Sequence, residues 1–354
     1  MLTIDGAFGE GGGQIVRSSL CLAAITGRPV TIFNIRANRK NPGLAAQHLT
    51  AVRAAAMICD ADLRGDELGS SILTFAPQAA AIPGDYLFDV AEAREGGSAG
   101  ATSLVLQTVL LPLALAAGPS RVTVLGGTHV AWSPPFHYLR DVFLPTLARL
   151  GVRAGLDLAA WGWYPAGQGE VTLSLPGGDS LSAANWPKSL RRGKLQRITG
   201  VAVAANLPAH IAQRIRNRAA NLLDAAGLPH QLEPLRVRSV SPGAGIFLAA
   251  EYEHSRAGFS ALGAKGKPSE VVAQEAVDAL LAFQRSGAVV DVHLADQLLL
   301  PLALAGAQTT LAIERVSEHT RTNLAVVEQF LGPVARISGN RLEFMAGRGV
   351  GSKQ

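Results

Sequence analysis

Apolar positions along the chain alternate between two rhythms. Short β-branched runs give way to longer stretches in which apolar residues recur three and four positions apart. The first such series predicts a strand at 2–5, a helix at 14–25, a strand at 29–33, a helix at 46–59 and two short strands at 61–64 and 72–75. The order then returns: strand 86–90, helix 102–117, strand 121–125, helix 138–150, strands 152–156 and 170–175. A third series follows later, with strand 288–292, helix 296–305, strand 311–314, helix 323–331 and strands 334–338 and 341–344.

The repetition does not rest on those assignments alone. The heptapeptide Leu-Leu-Pro-Leu-Ala-Leu-Ala occurs at 110–116 and again, identically, at 299–305. Each copy follows a glutamine (Gln107, Gln297), precedes a strand and carries a proline that should kink its helix. An internal repeat explains this better than chance does. Between the second and third copies, 186–285 differs in character. It opens on Trp186-Pro187-Lys188 and Arg191, Arg192, Lys194 and Arg197, then predicts strands, a helix bearing Arg214, Arg216 and Arg218, and a helix at 269–284. It reads as a small α/β unit inserted into the series, its arginines a solvated helix face. The fold class is therefore α/β (α+β), with a large domain of 1–185 plus 286–346 and an inserted domain of 186–285. Residues 347–354 read as a frayed tail.

At 354 residues the chain is long enough for two domains. With 48% hydrophobic and 17% charged residues it should bury a sizeable core. No apolar run approaches the ~18 residues of a membrane span, and no signal peptide is evident at the start. Cys21 and Cys59 sit among apolar neighbours and read as reduced core thiols of a cytoplasmic protein. A net charge of +5, mostly from arginine, permits a nucleotide or nucleic-acid partner without establishing one.

The most distinctive stretch is Gly9-Glu10-Gly11-Gly12-Gly13-Gln14-Ile15-Val16-Arg17, where a strand enters three glycines and then a helix. It matches neither standard nucleotide fingerprint. A tight turn is its plainer reading; an anion site at the helix start, with Arg17 as donor, is the sharper one. Arg36, Arg39 and Lys40 follow a buried strand, and Gln47 and His48 open the next helix. Gly97-Ser98-Ala99-Gly100, Gly126-Gly127-Thr128 and Tyr164-Pro165-Ala166-Gly167-Gln168-Gly169 are further glycine-dense turns. Among the histidines, His210, His230 and His254 lack metal-ligand spacing, and His48, His129 and His137 read as polar edge residues. His319 differs, standing in the polar run Ser317-Glu318-His319-Thr320-Arg321-Thr322-Asn323 between a strand and an amphipathic helix. A neutral imidazole there could attack phosphorus if an acceptor holds its other nitrogen.

Taken together, these motifs resemble the RNA 3′-terminal-phosphate cyclase family. The resemblance is carried by the glycine stretch, Ile35-Arg36-Ala37-Asn38-Arg39, Pro42-Gly43-Leu44, Gln47-His48-Leu49-Thr50-Ala51-Val52 and Gly97-Ser98-Ala99-Gly100. Leu104-Val105-Leu106-Gln107-Thr108-Val109, Gly126-Gly127-Thr128, Tyr164-Pro165-Ala166-Gly167, Ala295-Asp296-Gln297-Leu298 and His319 with Thr322-Asn323 continue it in order. The insert matches in placement and size more than in motif. The resemblance implies three βαβαββ repeats, similar to enolpyruvyl transferases, with a small inserted domain. It implies ATP-dependent conversion of an RNA 3′-phosphate end to a 2′,3′-cyclic phosphate through a histidine–AMP intermediate on His319.

By the same resemblance, Gln107 and the segment His293, Leu294, Ala295, Asp296 and Gln297 surround the adenosine of ATP. Glu10 is a ligand of the divalent cation, Mg2+ or Mn2+, and Arg17, Arg36, Arg39 and Gln47 hold phosphates of ATP or RNA. Two positions depart from the family pattern: His293 replaces a tyrosine found in a bacterial relative, and Gln168 interrupts a glycine triplet. Two other classes compete. One is a non-catalytic RNA-binding relative acting in ribosome assembly, which would lack the histidine. The other is an enolpyruvyl transferase, whose basic phosphate-site pattern is not apparent.

Overall fold

The computed structural model describes all residues except 96, 183, 185, 187–190 and 348–354. The tail expected at 347–354 therefore lies, Gly347 apart, outside the described residues, as do Pro187 and Lys188 at the expected opening of the insert.

The first repeat runs β1 (Leu2–Asp5), α1 (Gly13–Thr26), β2 (Val30–Phe33), α2 (Ala46–Met57), β3 (Asp62–Arg64) and β4 (Leu73–Ala76). Its sheet has the order β1-β2-β4-β3, with β1 and β2 parallel in the register Leu2↔Val30 and the remaining pairs antiparallel. The second repeat copies the plan. It comprises β5 (Asp85–Asp89), α3 (Thr102–Leu115), β6 (Ser120–Gly126), a helical segment, β7 (Gly155–Ala160) and β8 (Gly169–Leu175), in the order β5-β6-β8-β7. That helical segment is α4 (Phe136–Tyr138) passing through a π turn (Leu139–Phe143) into α5 (Leu144–Leu147). The insert forms its own sheet from β9 (Leu195–Ala205), β10 (His230–Val237), β11 (Gly243–Tyr252) and β12 (Arg256–Leu262), with helices α6 (Ala209–Ala225) and α7 (Ser269–Ser286).

The third repeat departs from the expected pattern in two places, and both matter for the site. The strand expected at 288–292 shrinks to one parallel bridge, Val290↔Ile313. Asp291 instead caps α8 (Val292–Leu304), its carboxylate accepting from the His293 and Leu294 N–H groups, so the helix begins four residues earlier than expected. After β13 (Thr309–Ala312), helix α9 (Glu318–Leu331) begins five residues early because Ser317 accepts from the Thr320 N–H. His319 thus stands in the first turn of a helix, not in a loop. β14 (Ala335–Ser338) and β15 (Arg341–Phe344) close a sheet of order β13-β15-β14.

Pro112 and Pro301 of the duplicated heptapeptide both lie inside helices, α3 and α8, at matching places in their repeats. One large apolar core runs through all three repeats, and a second fills the insert between its sheet and α6 and α7. Arg214 of α6 pairs with Glu270 and Arg218 bonds the Gln274 amide of α7, so two arginines of this helix are engaged by its neighbour. Cys21 and Cys59 are buried free thiols, both pushed up to about 12, chiefly by burial. Among the described residues no helix is long and apolar enough to cross a membrane.

His48, His129 and His137, expected at polar edges, are buried instead. The His48 Nδ1 accepts from the Ala45 N–H at 3.2 Å, so it carries no proton there. The His129 Nε2 meets the His137 Nδ1 at 3.0 Å where the second repeat packs on Phe247 of the insert. Burial, with nearby arginines second, lowers His48 to about 3; burial, with Arg140, lowers His137 to about 4. His129 falls well below its ordinary value, through burial, then His137. Each imidazole is neutral when folded, whereas the unfolded chain takes up protons near 6.5. The stability they contribute is complete above pH 6.5 and is lost as pH falls through about 4 and then 3. Calorimetry should record a fall in Tm on the order of 10 °C between pH 7 and pH 4, reduced in His137→Gln. A flat profile, or one unchanged in the variant, would contradict this assignment.

Candidate active site

The glycine stretch leaves β1 as a turn (Gly11 N–H to Phe8 O, 2.9 Å) and enters α1 at Gly13. Two glycines are required there. Gly9 has φ +57°, and a Cβ on it would lie 2.2 Å from the Thr322 Oγ1 of α9. A Cβ on Gly13 would lie 2.0 Å from the Nε2 of the buried His48 ring. Gly13→Ala should therefore lower stability by about 1–3 kcal/mol and reduce activity by displacing the start of α1, measurable as a lower denaturant midpoint. A midpoint equal to that of the parent would refute this close packing. The cap of α1, Gly12, offers no side-chain bond, so the first N–H groups of the helix have no side-chain cap, and Ile15 N–H turns back to Gly12 O at 3.4 Å.

This close approach draws the first and third repeats together. α1 packs against α2, α3 and α9. The Glu10 N–H donates to Thr322 Oγ1 at 3.1 Å, and the Ser18 hydroxyl donates to Asn323 Oδ1 at 2.6 Å. The Nδ1 of His319 meets the Gln14 Oε1, while its Nε2 lies 3.0 Å from Glu10 Oε2. The other oxygen of Glu10 is held at 2.6 Å by Arg39 Nη2. Burial, then the charges of Arg17 and Arg39, lowers the His319 pKa against the opposing pull of Glu10. With Nδ1–H donating to the amide oxygen, Nε2 shares a proton with Glu10 Oε2, and its lone pair is free for attack only when Glu10 is turned to another cation.

Arg17 supplies the least satisfied charge. Its guanidinium forms no hydrogen bond or ion pair with any described residue, and burial lowers its pKa to about 10. The side chain is half-buried, and a cation partly withdrawn from water with no partner gains when a ligand completes it. Arg36 has φ +53°, donates to Gly43 O at 2.7 Å and has its pKa lowered by burial and by neighbouring Arg39. Gln47 accepts from the Ala101 N–H at 3.0 Å, tying the first repeat to the 97–101 turn of the second.

Across the third repeat, Asp296 accepts from the Thr320 hydroxyl at 2.5 Å, and burial raises it to about 6. Asn323 Nδ2 donates to the Asp296 carbonyl at 3.2 Å, so α8 and α9 are pinned beside His319. His293 is exposed on the first turn of α8, edge-on to Tyr138 at 6.2 Å. Leu294 and Ala295 belong to the apolar core, which leaves His293, Asp296 and Gln297 as the polar members of that segment. Gln107 Nε2 and Gln297 Oε1 are buried with no partner, two orphaned amide groups of the kind a nucleoside's polar edges would satisfy.

Glu10, His319, Arg17, Arg36 and Arg39 are thus brought together directly or through their fields. Gln14, Thr322 and Asn323 were quoted in the sequence pattern but given no role there. Their partners lie 305 or more residues away in the chain, beyond any local signal. Among the described residues no three His, Cys, Asp or Glu side chains gather as a metal cage. Glu10 offers a carboxylate, with the buried Asp296 a second acid within its field, and a single carboxylate suits a hard cation shared with phosphates and water.

The family profile described as RNA 3′-terminal phosphate cyclase matches residues 8–337. The chain is 54% identical over 343 residues to the RNA 3′-terminal phosphate cyclase of Trichormus variabilis, covering 97% of each protein. It is 56% identical over 331 residues to that of Methylococcus capsulatus, covering 93% of this chain and 91% of the relative. The relative from Pyrobaculum neutrophilum is 41% identical over 330 residues, at 93% and 92% coverage. A histidine held between Gln14 and Glu10 amid three arginines, together with identity over nearly the whole length, leads to one conclusion: the chain belongs to the RNA 3′-terminal phosphate cyclase family.

Proposed function

We propose that the protein converts an RNA 3′-phosphate end to a 2′,3′-cyclic phosphate at the expense of ATP, with His319 as the nucleophile. The observation that carries this reading is the holding of His319. Its Nδ1 is tied to Gln14, its Nε2 meets Glu10, and its field includes Arg17, which has no partner among the described residues. Nε2 attacks the α-phosphorus of ATP, the bond to the β-phosphate oxygen breaks, and pyrophosphate leaves. An oxygen of the RNA 3′-phosphate then attacks the same phosphorus, breaking the P–N bond and forming a mixed anhydride. The 2′-hydroxyl attacks the RNA phosphorus, AMP leaves and the ring closes. Adenylylation turns an oxygen of the RNA phosphate, a poor leaving group, into AMP, a good one.

The residues divide this work. Gln14 keeps the tautomer, and Ser317 and Asp296 fix the helix turn that carries His319. Arg17, Arg36, Arg39 and Gln47 hold phosphate oxygens by charge-assisted bonds in a partly water-excluded site. Gln107, His293, Asp296 and Gln297 take the adenosine. Glu10 would hold a divalent cation, Mg2+ or Mn2+, which when bound neutralises phosphate charge. In this reading 1–185 with 286–346 build the catalytic body, 186–285 is the inserted unit, and the cytoplasm is the compartment.

The test is a short RNA with a labelled 3′-phosphate, incubated with protein, ATP and magnesium. The label should become resistant to phosphatase, and only with ATP present. A label that stays sensitive while the RNA is bound would overturn the reading in favour of an RNA-binding relative without catalysis.

A further inference from the structure

Among the described residues three aromatic side chains are exposed, Phe8 at 53%, Trp132 at 99% and Tyr164 at 78%. The others are buried or half-buried. These three are not scattered. Phe8 lies in the glycine turn that carries Glu10. Trp132 follows β6 on the turn 127–135, and Tyr164 stands on the 161–168 turn between β7 and β8.

A chain of hydrogen bonds joins the Trp132 and Tyr164 turns to each other and to α2 of the first repeat. Gln47 accepts from Ala101 N–H; Gly127 N–H donates to Gly100 O at 2.8 Å; Thr128 and His129 N–H both donate to Gly162 O at 3.0 Å. A Cβ on Gly167 would lie 2.9 Å from the Cα of Ala99, so the Tyr164 turn lies against the turn that meets Gln47. On its other side the Trp132 turn reaches the nucleotide segment, since Tyr138 N–H donates to Pro135 O and the Tyr138 ring meets His293.

The Trp132 ring is displayed at a cost. Its φ is +64°, a conformation that bulky residues rarely adopt, and Ser133 Oγ fixes the turn by donating to Val130 O at 3.1 Å. Three cations on these turns and the helix start behind them, Arg17, Lys40 and Arg94, have no hydrogen-bond or ion-pair partner among the described residues. Exposed rings beside unpaired cations are the combination that binds a single nucleic-acid strand, with bases on the rings and phosphates on the cations.

Resting on the function proposed above, we propose that Trp132 and Tyr164, with Phe8 at the catalytic end, form a base-stacking platform for the RNA nucleotides preceding the terminal phosphate. The platform is sequence-tolerant, because every base has a face to stack. It acts on the strand and not on ATP.

The test compares the whole protein with Trp132→Ala, Trp132→Phe and Tyr164→Ala, using three readouts. Affinity for an RNA octamer ending in a 3′-phosphate should weaken roughly 5- to 100-fold in each alanine variant and stay near the parent's in Trp132→Phe. The KM for a single nucleoside 3′-phosphate, which has no preceding base, should not change. Labelling by α-labelled ATP without RNA should also match the parent. Unchanged octamer affinity in both alanine variants overturns the platform, as does equal weakening for octamer and mononucleotide. Loss of labelling in Trp132→Ala would move the ring to the adenine of ATP and overturn it as well. Failure of the parent to take up label, with the octamer difference intact, would instead count against His319 chemistry and leave the platform standing.

Discussion

His319→Ala should fold normally and take up no label from α-labelled ATP, with cyclising activity down roughly 10⁴-fold or more. The side chain is 44% exposed, so its truncation removes little packing. The loss would be chemical. No other imidazole can replace it, because His48 is buried with its Nδ1 committed to Ala45 and lowered to about 3. His293 is exposed on a neighbouring helix turn but has no acceptor orienting its ring among the described residues. Circular dichroism and Tm equal to the parent's, with label absent, is the expected pair of results. Full labelling of the variant would remove His319 as the nucleophile.

Arg17→Met should separate activity from stability in the opposite sense. The turnover number is expected to fall about 10²–10³-fold, the usual effect of deleting one preorganised donor to developing phosphate charge. Tm should stay the same or rise, because the parent folds around a half-buried cation that no described side chain completes. The methionine keeps most of the stem's packing. A thermal shift assay with and without ATP would show the parent gaining more from the nucleotide than the variant does. A variant with a lower Tm and full activity would mean that Arg17 is a structural residue with a partner in the folded chain.

Much of the fold was legible because it is repeated. Three rounds of the same rhythm and a duplicated heptapeptide at Pro112 and Pro301 reinforce one another where each alone is weak. Both departures in the third repeat have local causes. Asp291 and Ser317 are strong caps, and each draws the helix start back toward itself, shifting His293 and His319 from expected loops into first turns. In the polar run that begins with Ser317 the hydrophobic stripe starts only at Leu324, so its pattern does not extend the helix back to Glu318. The glycine stretch could not be raised above a turn from sequence, since its meaning lies in Thr322, Asn323 and His319 of another repeat. The buried histidines were misread for a related reason. His129 and His137 are polar in composition but lie under Trp161, Trp163 and Phe247, residues that come together only when the insert packs on the second repeat.

Mapping the nucleotide adduct tests the central claim most directly. Protein incubated with ATP and magnesium, without RNA, is digested under alkaline conditions that preserve a phosphoramidate, and the peptides are sequenced by mass spectrometry. One AMP on the peptide containing His319, removed by mild acid and released on adding RNA with a 3′-phosphate, is the predicted result. AMP carried by any other residue, or steady cyclisation with no adduct on His319, would contradict it.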